Sequence, residues 1–113
     1  VRITNQKLVG YTFLSDMLGD DYYPRHLVVK GQAILRRLCA QIEADRPADL
    51  AALYAMTNAA TRQFNDLQDE LFEADSEIET VARDTIASDF FYVAAAYGFE
   101  NADVEELVAD RDW

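Results

Sequence analysis

"DLAALYAMTNAATRQFNDLQDELFE", residues 49–73, decides the fold class. Leu50, Leu53, Thr57, Ala60, Phe64, Leu67 and Leu71 follow one another at alternating steps of three and four residues. That spacing draws one line along an α-helix, the seam of a helix packed over nearly its whole length. Asp49 is a natural N-cap, because its carboxylate can accept from a backbone N–H that the helix leaves free. From Asp49 to Glu73 the helix would reach about 37 Å at roughly 1.5 Å per residue, which makes it the expected spine of a bundle.

Working outward, "RPADL" (46–50) is a linker, preceded by "PRHLVVKGQAILRRLCAQIEAD" (24–45). There Leu27, Gly31, Ile34, Leu35, Leu38 and Ile42 share one helical face, and Pro24 suits the first turn, where its missing N–H has no intrahelical role. Gly31 lies inside the stripe, so another element is expected to approach closely there. A first helix is expected from an Asn5 cap to about Leu18, ending near "GDDYYP". Beyond the spine, Ser76 and Glu79 of "SEIE" have the spacing of a capping box for a helix ending at Tyr97, with Gly98 as its C-terminal glycine. A last short helix, "NADVEELVAD", would start from Asn101 as cap. No two-residue alternation, hairpin dipeptide or repeat is present. The expectation is an all-α protein: a compact antiparallel bundle of four main helices plus a short C-terminal helix, residues 1–113 forming one domain.

Composition narrows the function classes. Ten Lys and Arg against 21 Asp and Glu give a net charge of −11, which repels nucleic acid and anionic membranes and favours a basic protein partner or plain solubility. Cys39 is the only cysteine, so no internal disulfide forms and a reducing, cytoplasmic setting is expected. No apolar run approaches membrane-spanning length, and no signal peptide is read at the start.

The stretch "FNDLQDELFEADSEIET" (64–80) holds seven carboxylates. Asp75, Glu77 and Glu79 alternate like the first ligands of a calcium loop, but the sixth position is Thr80 rather than Gly and the twelfth is Ile86 rather than Glu. A register starting at Glu73 puts Ile78 at the sixth position, and a di-metal bundle needs more histidine than His26 alone. A solvated turn between two capped helices is expected, with no metal and no cofactor.

Polar residues on faces that should be dry are the better site candidates. Asp89 falls in the middle of the apolar arc of its helix. It is either an acid of raised pKa usable for proton transfer or a structural acid bonded to a tyrosine hydroxyl, an arginine or a free helix-end N–H, and the structural role is favoured. Thr57 interrupts the spine seam, beside a column of Asn58, Arg62, Asn65 and Asp69. Thr57, Asn58 and Asp89 are expected to meet in the core, as a network or as the floor of a small pocket, and are the weak catalytic candidates. His26 is read as a surface residue and Cys39 as a core residue. Thirteen positions apart on one helix, the two would stand roughly 20 Å from each other, too far for a catalytic pair. For a docking patch the candidates are Phe91, Tyr92 and Trp113 with Glu105 and Glu106, aromatic anchors on an acidic surface. Phe91 turns away from the core arc, and cover by the C-terminal segment is an equal alternative for it.

Four blocks together, "DDYYPRHLVVKGQAILRRLC", "TNAATRQFNDLQDE", "SEIETVARDTIASDF" and "AYGFENADVEELVADRDW", resemble a family of short bacterial proteins known only as a domain of unknown function. The resemblance spans nearly the whole chain and implies a stand-alone bacterial cytosolic domain, with no activity and no site residues attached. It also implies a histidine as common where this chain has Asn58, so a role needing an imidazole there would be lost in this member. The leading expectation is a protein-binding module, of immunity or antitoxin kind, for a basic partner. The alternatives are a self-associating structural protein using Phe91 and Trp113, and, less favoured, a small-molecule or metal-dependent enzyme with a pocket around Asp89.

Overall fold

The computed structural model describes residues 2–113. Among them the chain forms α1 (Ser15–Leu18), α2 (Arg25–Asp45), α3 (Leu50–Glu73), α4 (Thr80–Ala96) and α5 (Val104–Leu107), with no strand. The architecture is the all-α bundle expected from the sequence. α2 packs against α3, α1 against α4 and α2, and α5 against α4 and α3.

α2 and α3 are antiparallel neighbours, as the pairings Lys30–Glu70 and Arg37–Gln63 show. The whole stripe from Leu27 to Ile42 is buried, and so is the α3 seam from Leu53 to Leu71. Asp49 caps α3 as expected, accepting from Ala52 N–H at 2.9 Å. Gly31 is where the layers touch. A Cβ there would stand 2.7 Å from Leu14 Cδ1 and 3.2 Å from Phe64 Cε1. α4 buries Ile86, Phe90 and Val93, Phe90 meeting Phe64 of α3 edge-on at 5.8 Å between centroids.

Several local expectations are corrected. The first helix does not run from Asn5 to Leu18. Asn5 Oδ1 turns back to accept from Lys7 N–H, its carbonyl closes one turn at Leu8 and Val9, and the helix proper begins at Ser15. The reason is packing. Leu8, Phe13, Leu14 and Met17 are all buried, but their spacing scatters them around a helix, so one continuous helix would leave some of them wet. Leu14 takes the bend itself, at φ 56°.

Ser76 and Glu79 do not form a capping box; α4 starts at Thr80 with Glu79 as N-cap and no side-chain cap bond. Ser76 serves the preceding helix instead. Its N–H donates to Leu71 O, Asp75 N–H donates to Phe72 O, and Asp75 sits at φ 61°, a Schellman closure of α3. The same closure ends α4, with Gly98 at φ 92° and Phe99 N–H donating to Ala94 O. Pro24 is the residue before α2 rather than in its first turn, and α5 is capped by Asp103, which accepts from Glu105 N–H, rather than by Asn101.

Both ends of the chain are strapped to the long helices. Near the N-terminus, Glu43 of α2 accepts from Thr4 N–H and Oγ1 at 2.9 Å each, from Asn5 N–H at 3.1 Å and from Tyr97 O–H at 2.5 Å. Asn5 Nδ2 adds a bond to Ala96 O at 2.8 Å. No helix is long and apolar enough to cross a membrane among the described residues.

Candidate functional site

Asp89 is buried, 5 % exposed, where the helical wheel puts it. Its Oδ1 accepts from Tyr11 O–H at 2.8 Å and its Oδ2 from Leu14 N–H at 2.7 Å. These are two of the partner types anticipated for a structural acid, a tyrosine hydroxyl and a backbone N–H at a helix start. Desolvation raises the Asp89 pKa, Asp16 adds to the rise, and the bonds from Leu14 and Tyr11 oppose it. The Tyr11 hydroxyl is in turn pushed up to about 12 by burial and by its bond to Asp89.

Thr57 and Asn58 do not meet Asp89. Thr57 Oγ1 donates to Tyr54 O within its own helix, and Asn58 faces the other way, towards the C-terminal segment. The expected three-residue pocket is therefore two unconnected places. The cleft beside Asp89 is lined by Tyr11, Ser15, Asp16, Asp84, Thr85 and Ser88, without Thr57 or Asn58.

The polar column of α3 has a definite occupant. Asn58 Nδ2 donates to Glu106 O at 2.9 Å and its Oδ1 accepts from Asp110 N–H at 2.9 Å. Seven residues on, Asn65 Nδ2 donates to Asp110 O and its Oδ1 accepts from Asp112 N–H, both at 3.0 Å. Arg62 pairs with the Asp110 carboxylate at 2.5 Å, and Thr61 Oγ1 reaches Leu107 O at 3.3 Å. The column matches the backbone polar groups that an irregular segment leaves without helix partners. Trp113 is thereby laid against Phe64, ring centroids 6.5 Å apart.

This placement corrects the docking patch. Trp113 is 9 % exposed and belongs to the core, so it is no surface anchor. Tyr92 is half-buried, stacked on Tyr11 at 4.4 Å with its hydroxyl donating to Lys7 O. Phe91 is half-buried in a cleft walled partly by Val104 and Arg111, so the C-terminal segment does flank it. Glu105 and Glu106 are exposed. Cys39 is buried and its thiol is pushed up to about 12, chiefly by desolvation. His26 lies on the surface.

An aromatic that sequence reasoning passed over is more exposed than Tyr22, the other exposed aromatic among the described residues. Phe72 is 54 % exposed, the highest value among the exposed large hydrophobic residues. It sits at the last turn of α3, with Asp69 one turn behind it and Glu73, Asp75 and Glu77 after it, all exposed. No Lys or Arg occurs between Phe64 and Thr80. The sequence signal was available: Phe72 follows Leu71 by one position and so falls about 100° off the seam.

Residues 7–113 match the model of a family of unknown function (DUF5713). No match was found among curated proteins or among solved structures.

Proposed function

The chain belongs to DUF5713, a family of unknown function, and from that premise we propose that it is a protein-binding module whose acidic corner docks a basic partner. The observation that carries this reading is Phe72, more than half exposed and flanked along the chain by the exposed Asp69, Glu73, Asp75 and Glu77. A large apolar ring in such a setting can bury itself in a partner's pocket, while the carboxylates steer a positively charged surface towards it. The net charge of −11 adds long-range attraction of the same sign. Asp89 and Asn58, the groups that looked fit for chemistry, both make hydrogen bonds that hold the fold. A basic toxin held inactive in the cytoplasm is the kind of partner this surface suits.

Capture from the native cells tests it, comparing wild type with Phe72→Ala and with the double variant Glu73→Lys/Asp75→Lys. The expected result is one basic protein retained by wild type, lost to both variants and released by about 0.5 M salt, where screening is nearly complete. Absence of any such protein, or its equal retention by the variants, would overturn the proposal.

A further inference from the structure

Between the outer side of α4 and the segments that follow it lies a cleft of about 480 Å³. Its walls include Arg83, Asp84 and Phe91 from α4, Val104 and Glu105 from α5, and Arg111 from the C-terminal segment. Two cations and two anions balance there, although acids outnumber bases 21 to 10 in the chain. Arg111 is engaged: it lies over the Trp113 ring at 5.6 Å and reaches Glu105 at 3.5 Å.

Arg83 is not engaged. It makes no ion pair among the described residues, and its buried Nε has no hydrogen-bond partner. The buried Nε is out of a ligand's reach, so the terminal nitrogens are the donors on offer, and a carboxylate is the acceptor whose two oxygens match a guanidinium's paired N–H groups. Asp84, the next residue, is exposed and also lacks a salt-bridge partner among the described residues. Arg83, whose terminal nitrogens make no ion pair, and the unpaired Asp84 carboxylate thus line one cleft whose apolar wall is Phe91 and Val104, both half-buried.

We propose that this cleft binds a small zwitterion of the amino-acid class with an apolar side chain. Its carboxylate pairs with Arg83, its ammonium with Asp84, and its side chain lies over Phe91 and Val104. A plain anion leaves Asp84 and Glu105 facing it with like charge, and a plain cation leaves Arg83 without an acceptor. The volume falls within the roughly 300–1,000 Å³ usual for small-molecule sites. The cleft shares no residue with the Phe72 corner, so the two proposals stand or fall separately.

The test is a titration of the full-length, isotope-labelled chain with L-phenylalanine, following backbone amide resonances. Saturable shifts confined to residues 83–91 and 104–111 are expected. Arg83→Gln and Asp84→Asn should each weaken binding about tenfold, and benzoate or phenethylamine, each carrying half of the charge pair, should bind wild type at least about tenfold more weakly. Asp84 is exposed, so its variant keeps the fold whatever happens at Arg83. Shifts that do not saturate below about 30 mM, binding unchanged in either variant, or benzoate binding as tightly as phenylalanine would each overturn the assignment.

Discussion

Asn65 holds Asp112 through its side-chain amide, Oδ1 accepting the backbone N–H at 3.0 Å, while Nδ2 takes the Asp110 carbonyl at the same distance. Both ends of one amide therefore grip the backbone on either side of Arg111. Asn65→Ala leaves two backbone groups to find water and should destabilise the chain by about 1–3 kcal/mol. Trp113 is the sole tryptophan and is buried, so its emission reports the segment directly. A red shift before global unfolding, with faster exchange of the Asp112 amide, is the expected result.

Asp89 is predicted to matter for stability. Asp89→Ala strands the Tyr11 hydroxyl and the Leu14 N–H and should cost about 2–4 kcal/mol, while Asp89→Asn, which can still accept once, should cost about half as much. The pKa is raised, chiefly by desolvation, so the folded chain takes up this proton before the unfolded one does. Wild type should therefore gain stability relative to Asp89→Asn as pH falls from the raised pKa towards the ordinary 3.8. Urea midpoints of the two proteins across acid pH measure the difference.

Glu43 acts with the opposite sign. Burial alone would raise its pKa, but the bonds from Tyr97, Thr4 and Asn5 outweigh this and bring it down from 4.5 to about 2. Its contribution is fully present above pH 4.5 and is lost as pH falls to about 2. Because the group lies near the surface, solvent screening limits the effect to on the order of 1 kcal/mol. Glu43→Gln should be less stable than wild type at pH 7, and the gap should close on acidification through that window.

Gly31→Ala sets two effects against each other. Helix propensity favours alanine by about 1 kcal/mol, but the added methyl meets Leu14 on one side and Phe64 on the other. Overpacking of this kind costs about 1–3 kcal/mol, so a net loss is expected. Leu14→Ala in the same chain should recover part of it, visible as non-additivity in a double-mutant cycle of denaturation midpoints.

The long α2–α3 pair was legible because its contacts repeat: Leu27 to Ile42 and Leu53 to Leu71 each draw one continuous line, and burial of that line is what the helices need. Where a residue has two possible uses, sequence alone could not choose. Ser76 looks like an N-cap of α4 but closes α3, and Asn5 looks like the start of a helix but folds its amide back onto Lys7. The column containing Asn58 and Asn65 stood out as polar, yet its occupant lies more than forty residues away along the chain. Asp89 was readable as a buried acid because a helical wheel fixes direction. Its partners were not, since Tyr11 and Leu14 reach it from an irregular stretch. Arg83 gave no signal, because what distinguishes it is the lack of a partner in three dimensions.

The straps at the two chain ends also bear on the order of folding. α2 and α3 are joined by a short linker and can zip together from their turn, whereas the Asn5–Ala96 bond closes 91 residues and the Asn65–Asp112 bond 47. Loop closure of that length is entropically costly until the hairpin exists to receive it, so the ends should arrive last. Contacts made after the rate-limiting step govern how fast a protein comes apart, not how fast it assembles. Stopped-flow measurements on Asn65→Ala and Glu43→Gln should therefore show unfolding accelerated and refolding nearly unchanged: the straps set the lifetime of the folded chain.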